Sequence, residues 1–341
     1  MPGTTLPGVG DAGLSAAVAL ATGLLSCFAT RALVPILRRR DILDHPNERS
    51  AHRVPTPRGG GIAVIGSLLL AWFVLAGAGL AVPGVIGVSL GAGILAVVSW
   101  VDDFRGLSPL LRLLAQIVVV TIGICARAPG EGWAGFVAIG LLWIWCTNLF
   151  NFMDGIDGIV GSEAAAIGIG LLLFASAGTG ADPGLAMLAA AVIGAALGFL
   201  VWNWSPARIF LGDVGSAPLG YLLGFLLLDL ALRGFWKIAL ILPLYFLADA
   251  TITLCRRLIR GERIWEAHRE HFYQQAVRRG LSHAAVVERV VAADILLIGC
   301  GWAAENGWGA VSLGTSVVIV AGLLVVLSRS RYGLRRGPTE I

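Results

Sequence analysis

Four segments of this chain carry side chains able to do chemistry: Asp102-Asp103, Asn148-x-x-Asn151-x-x-Asp154-Gly155-x-Asp157-Gly158, Gly212-Asp213-x-Gly215-Ser216 and His268-Arg269-Glu270-His271. Only 13% of the residues are charged, and these acids sit at the borders of long apolar runs. Charge beside hydrocarbon is costly, so acids kept there generally have a metal, a partner or water. Carboxylate and amide oxygens are the donors that hard divalent cations take. The chemistry suggested is that of a site able to hold such a cation.

Taken singly, the segments differ in weight. Adjacent acids repel, and one of the two holds its proton unless a cation or arginine is near. Asp102-Asp103 therefore suits Mg²⁺ neutralisation or a base role, although a solvated loop explains the pair as well. In the Asn148 segment the polar positions recur every three residues, near one face of a helix end, and glycines let the backbone turn beside the carboxylates. The spaced acids and closing Glu of an EF-hand are missing. A polar cap between two spans is the plainer alternative. Asp213 beside a helix N-terminus is favoured by the dipole, so an N-cap accounts for it, while its flanking glycines leave room for phosphate or metal.

His268 and His271, three apart, share a face in a loop of about thirty residues, long for an ordinary connection. They lack the helix context of a zinc protease. Contacts from His268, Arg269 and His271 to phosphate oxygens fit better. His283 receives no role. Gly59-Gly60-Gly61 before an apolar run offers backbone N–H groups at a helix start, a natural anion site, with Arg58 adding charge. Arg112 is either a phosphate clamp or an interfacial arginine. Asp229 and Asp249 are acids within spans, and neither is given a role.

The elements that position these groups follow from composition. Of 341 residues, 57% are hydrophobic, above the 45–50% usual for soluble domains. Runs long enough to cross a bilayer begin near Gly13, Gly60, Pro83, Leu111, Gly135, Gly158, Gly184, Ser216, Trp236, Ala285 and Ala310, roughly eleven in all. The expected fold is all-α: one polytopic transmembrane domain over 1–341, with loops around 38–59, 102–110, 151–157, 203–214 and 256–284. The first run lacks a charged region before it and is followed by Arg38-Arg39-Arg40, so it reads as a retained span.

Arginines crowd the loops after the first and ninth runs and the C-terminal tail, so these are cytoplasmic and the N-terminus is outside. With eleven crossings the segments carrying Asp102-Asp103, Asn148 to Asp157, Arg208 to Asp213 and His268/His271 all fall on the cytoplasmic side, and the outside connections carry little chemistry. The basic residues form no aromatic-interleaved patch, which speaks against nucleic acid. The five cysteines have no metal-ligand spacing and read as small buried hydrophobes. A transporter or flippase also shows acids near the membrane, but here they lie at one face and no internal repeat is visible. Asp154-Gly-Ile-Asp157-Gly lacks the Asp-Gly-x-x-Ala-Arg signature of CDP-alcohol phosphotransferases.

In the order Asp102-Asp103, Asn148 to Gly158, Phe210 to Ser216 and the histidine loop, the chain resembles the polyprenyl-phosphate N-acetylhexosamine-1-phosphate transferases, over roughly Asp44 to Arg279. The Asp44 to Gly61 stretch is more similar to the O-antigen and teichoic-acid branch than to the peptidoglycan branch. The resemblance implies transfer of a HexNAc-1-phosphate from a UDP-N-acetylhexosamine to undecaprenyl phosphate in the lipid bilayer, with Mg²⁺ as cofactor and Mn²⁺ able to stand in. Asn151 and Asp213 would hold the metal. Asp102 and Asp103 would lie by metal and acceptor phosphate, with Arg112 and His271 in the catalytic group. Arg112 stands four residues before Gln116, where relatives often carry a lysine. Asn148, Asp154, Asp157, Arg58, His268 and Arg269 would face substrate. His271 is followed by Phe272-Tyr273-Gln274 where relatives continue a histidine cluster; either His268 supplies the second imidazole or Tyr273 and Gln274 replace it. The oligomeric state, a homodimer included, stays open, as do the sugar and the polymer.

Overall fold

Residues 9–46, 54–127, 130, 132–177, 181–263, 266 and 268–329 are described in the structure, a computed structural model. Residues 47–53 of the first loop and the tail beyond Arg329, with some of the arginines used to read orientation, lie outside the described residues.

The chain folds as helix after helix. These are α1 (Val9–Arg39), α2 (Gly61–Gly77), α3 (Val85–Arg105), α4 (Pro109–Arg127), α5 (Trp133–Phe152), α6 (Ile159–Ala177), α7 (Pro183–Asn203), α8 (Asp213–Leu230), α9 (Trp236–Ile241), α10 (Leu244–Ile259), α11 (Phe272–Arg278), α12 (His283–Ala303) and α13 (Gly309–Arg329). The all-α expectation holds, apart from a two-residue antiparallel pairing of β1 (Leu43–Asp44) with β2 (Thr56–Pro57).

Among the described residues, eight helical stretches are long and apolar enough to cross a membrane, fewer than the eleven runs counted. The difference has local causes. Helix α2 has only 17 residues. The run from Trp236 is interrupted between α9 and α10 by Pro243, which has no N–H to give the helical ladder. The last stretch holds both α12 and α13, which fold against each other across a break at Asn306 and Gly307 (φ 94°).

Helices α7 and α8 form the centre; nearly all of α8 is buried, whereas α1 is largely exposed. Backbone-close packing joins α1 to α7: a Cβ at Gly194 would lie 2.1 Å from the Ala19 carbonyl oxygen, and one at Gly198 2.2 Å from that of Gly23. In lipid, where hydrophobic attraction between helices fades, such small-residue contacts let dispersion do the holding. At the far end from the candidate site, Asp229 is fully buried and takes Arg127 at 2.5 Å and Arg233 at 2.6 Å, and Arg233 also reaches Asp182 at 2.6 Å. Asp182 is itself the N-cap of α7, accepting from Leu185 N–H at 2.8 Å. The connections read as poor in chemistry thus hold a buried ion network that ties α4, α7 and α8.

Candidate functional site

Two glycine-rich segments meet backbone to backbone. The N–H groups of Gly59 and Gly60 donate to the Phe210 carbonyl (3.2 and 2.9 Å), and Gly61 N–H donates to Leu211 (2.8 Å). A Cβ on Gly61 would stand 2.2 Å from Gly215 Cα. This corrects the anion-site reading of the triple glycine: its N–H groups are spent on the 210–211 strand, and the glycines serve close approach of α2 to the start of α8. The N-cap of α8 is Gly212, at φ 76°, and Asp213 is the first helical residue. Asp213 therefore does not cap; its carboxylate faces Arg58.

That contact organises one half of the site. Arg58 Nη2 lies 2.7 Å from Asp103 Oδ1 and 2.9 Å from Asp213 Oδ1. Asp103 Oδ2 also accepts from Val214 N–H at 3.3 Å. Burial alone would lower the Arg58 guanidinium; Asp213 and Asp103 outweigh it and raise it. Asp102 turns the other way. Its Oδ1 accepts from Leu107 N–H (2.6 Å) and its Oδ2 pairs with Arg112 Nη1 (3.2 Å). The adjacent acids are thus divided between two arginines, which relieves their repulsion. The turn between them and Pro109 closes on Gly106, at φ 63°.

Asp102, Arg112, Gln116, Asn148, Asn151 and Asp213 line one cavity of about 130 Å³ between α3, α4, α5 and α8, which Leu95, Val98 and Leu113 also line. Whole-ligand pockets run to roughly 300 Å³ or more, so this space suits phosphate groups rather than an entire nucleotide sugar. Gln116 and Asn148 exchange amide hydrogen bonds (2.7 and 3.1 Å), and Asn151 Nδ2 donates to Ser216 Oγ at 3.1 Å, so that its amide oxygen is not used in that bond. Gln116, one turn after Arg112, is a cavity residue that the sequence reading used only as a landmark.

The 152–158 loop follows. Asp154, past the end of α5, is half-buried; burial first, then the charges of Asp213 and Asp103, push it up to about 7, with Arg58 opposing. Asp157 has a different job. Its Oδ2 accepts from Ala207 N–H at 3.1 Å and pairs with His283 Nδ1 at 3.2 Å. Burial would raise it, but His283, Ala207 N–H and Ser205 together hold it below the ordinary value. The carboxylate expected to face substrate braces the 203–208 loop and the start of α12 instead. His283, given no role from sequence, is its partner.

The histidine segment docks behind this loop and does not reach the cavity. His271 Nδ1 lies 3.1 Å from Asp249 Oδ1, and both side chains are buried. Asp249 also accepts from Phe272 N–H, Tyr273 N–H, Tyr245 OH and Thr253 Oγ, at 3.0 to 3.3 Å. Tyr273 OH donates to the Phe152 carbonyl at 3.2 Å, under Gly155, where a Cβ would stand 2.3 Å from that hydroxyl. The His268 ring lies tilted beside that of His271, 4.8 Å between centroids, and accepts from Glu270 N–H. Burial, then His271 and Arg257, push His268 down to about 4, so it is neutral at pH 7. Arg269, half-buried, lies on the same segment. Asp249, left without a role, proves to be the acceptor that seats α11; its signal was an acid kept inside an apolar helix.

Among the described residues no three or more His, Cys, Asp and Glu side chains form a group that could hold a metal ion. Mg²⁺ does not need one: it keeps waters and takes one or two carboxylates plus substrate phosphates. Asp213 and Asn151, hard oxygen donors on one cavity wall, fit that requirement.

Comparison with known proteins places the chain in a family. The description "Glycosyl transferase family 4" matches residues 85–231, from the start of α3 through α8. A phospho-N-acetylmuramoyl-pentapeptide-transferase of Synechococcus sp. (strain JA-2-3B'a(2-13)) is 31% identical over 305 residues, 80% of this chain and 86% of that protein. The chain belongs to glycosyl transferase family 4, the polyprenyl-phosphate N-acetylhexosamine-1-phosphate transferases. A probable undecaprenyl-phosphate N-acetylglucosaminyl 1-phosphate transferase of Bacillus subtilis (strain 168) is 28% identical over 282 residues, 76% of this chain and 77% of the relative. With the phospho-N-acetylmuramoyl-pentapeptide-transferase of Picosynechococcus sp. (strain ATCC 27264 / PCC 7002 / PR-6), identity is 32%, and the match spans 58% of that protein's length. The region matched by the family includes Asp102, Asp103, Arg112, Asn148 to Asp157 and Asp213. Arg58 and the histidine segment lie beyond it.

Proposed function

We propose that the protein transfers a HexNAc-1-phosphate from a UDP-sugar to undecaprenyl phosphate, releasing UMP, at the start of lipid-linked cell-envelope polysaccharide synthesis. The observation that carries this reading is the single cavity shared by Asp102, Arg112, Asn151 and Asp213, drawn from four helix ends far apart in the chain. It joins one phosphate-binding cation, Arg112, to hard-metal donors at the edge of an apolar bundle.

A phosphate oxygen of the acceptor attacks the β-phosphorus of the donor, and the bond to the bridging oxygen breaks and leaves with UMP. Asn151 and Asp213 would hold Mg²⁺, which when bound neutralises the diphosphate and the departing UMP. A phosphate monoester has its second pKa near 6, so the acceptor is already largely dianionic at neutral pH. It needs positioning and screening more than a strong base. Arg112, held toward the cavity by Asp102, meets the acceptor phosphate, and Leu95, Val98 and Leu113 face its lipid end. The engagement of Asp102 with Leu107 N–H and Arg112, and of Asp103 with Arg58 and Val214 N–H, favours direct displacement over a covalent phospho-aspartate, since a nucleophile would first have to shed those partners.

The architecture we propose has eleven crossings, with α9 and α10 together making one and α12 and α13 one each. The bias of the arginine-rich loops supports a site that faces the cytoplasm, where a soluble donor arrives. The test is direct. Purified protein with Mg²⁺, polyprenyl phosphate and a panel of UDP-HexNAc donors is expected to release UMP and form a lipid-linked sugar diphosphate. No UMP from any donor, or movement of lipid without turnover, would reject the reading.

A further inference from the structure

We propose that Arg58 is an internal counter-cation: it holds Asp103 and Asp213 together in the donor-free protein and turns its guanidinium to the donor diphosphate once a divalent cation takes over those carboxylates. This rests on the transfer reading above and adds to it a role for a residue outside the region matched by the family.

The geometry argues for exchange and against a permanent salt bridge. A guanidinium holds a carboxylate best through two parallel N–H bonds, yet Arg58 makes both of its contacts through Nη2, at 2.7 and 2.9 Å, one to each acid. Its other nitrogens make no hydrogen bond to a described residue, and the side chain is 37% exposed. The acids come from α3 and α8. Among the described residues Arg58 Nη2 is the cation paired with both carboxylates, while the backbone N–H groups at the start of α8 hold Asp103 from the other side.

The backbone of Arg58 is held on both sides, and its side chain is held at its tip. Phe210 N–H donates to the Pro57 carbonyl at 2.8 Å, Arg58 N–H donates to Ile42 at 3.3 Å, and Gly59 N–H returns to Phe210. Gly59 sits at φ 120° with Trp100 against it. The residue therefore acts as a pivot: the Cα stays while the guanidinium swings.

Charge counting gives the order of events. Asp103 and Asp213 contribute −2 and Arg58 contributes +1 to this ion-paired group, formally −1. A divalent cation more than offsets that with Arg58 still present. The diphosphate then adds negative charge that Arg58, released from its acids, is placed to meet.

The test measures Mn²⁺ binding by electron paramagnetic resonance, without donor, on the full-length protein in detergent, alongside donor KM in the transfer assay. Arg58→Gln uncovers both carboxylates and is expected to bind Mn²⁺ on the order of ten-fold more tightly than wild type, since removing one like charge at this range changes affinity by about that factor or more. Its donor KM is expected to rise. Arg58→Lys keeps the charge but not the fork; its Mn²⁺ affinity is expected to stay near wild type while its donor KM rises, which serves the test even where the Gln variant fails to fold. Unchanged or weaker Mn²⁺ binding in folded Arg58→Gln, or an unchanged donor KM in Arg58→Lys, would overturn the exchange while leaving the transferase reading intact. A wild-type protein that neither binds Mn²⁺ nor turns over would remove both.

Discussion

Asp249 Oδ1 stands 3.1 Å from His271 Nδ1, and neither side chain reaches water. This pair decides where the histidine segment goes. One carboxylate within α10 gathers the start of α11 through two backbone N–H groups and an imidazole, and α11 in turn sets Tyr273 under the 152–155 loop.

Asp249→Asn is therefore expected to unseat α11. An amide has one acceptor oxygen and presents an NH₂ group to donors, so buried N–H and O–H groups lose their partner. The cost is about 2–4 kcal/mol, seen as a lower melting temperature and faster proteolysis between α10 and α12. Turnover should fall with it. A variant with wild-type melting and protease resistance would show that the seat is held by packing alone.

Asp213→Asn is expected to abolish transfer while leaving the fold in place. Asp213 is partly exposed and its carboxylate is ion-paired with Arg58, and Asn keeps its size, so little packing is lost. Loss of charge stabilisation worth several kcal/mol slows turnover by about a thousand-fold or more. UMP release and the thermal melt measured on one sample separate the two effects. Full activity would remove Asp213 from the site.

Gly61→Ala should destabilise by at least about 1–3 kcal/mol, the usual range for forced overpacking. The added methyl would meet Gly215 Cα and N at 2.2 and 2.3 Å, and backbone cannot step aside as a side chain can. Because the clash separates α2 from α8, activity should fall more than stability does. Gly66→Ala, on the same helix with open space around it, is the matched control and should behave as wild type.

His268 gives a pH dependence with a definite sign. Its folded value lies near 4, below the ordinary 6.5, so the unfolded chain takes up the proton first as pH falls. Folding stability is fully present above 6.5 and declines between 6.5 and about 4. His268→Asn keeps an acceptor for Glu270 N–H and cannot titrate. Its melting temperature should lose less than wild type's between pH 7 and pH 5. Equal losses in the two proteins would contradict a neutral His268.

Asp229→Asn probes the opposite end of the bundle. It leaves Arg127 and Arg233 facing an uncharged partner, and breaking a buried pair costs about 3–5 kcal/mol. The melting temperature should drop with little change in donor KM. A raised KM at wild-type stability would mean that the two ends are coupled.

Helix positions were legible because bilayer-length apolar runs are a one-dimensional signal: each of the eleven expected starts falls within or beside a helix of the structure. The acids were legible for the same reason, since charge at an apolar border stands out against its surroundings. What a carboxylate does there was less legible. Asp157 and Asp154 belong to one motif, three residues apart, yet one braces Ala207 and His283 while the other lies in the field of Asp213 and Asp103.

Sequence alone determined the all-α membrane class, the family resemblance and the set of acids, because hydropathy, residue type and spacing are properties of the chain itself. Tertiary structure decided the partners: Arg58 between Asp103 and Asp213, Arg112 on Asp102, His271 on Asp249, and the glycines as surfaces for backbone contact. Those pairings span up to 155 residues. Whether a charge finds a cation, a carbonyl or a neighbouring acid depends on which helix ends the packing of α3, α4, α5 and α8 brings within hydrogen-bond reach, and spacing along the chain carries no record of that.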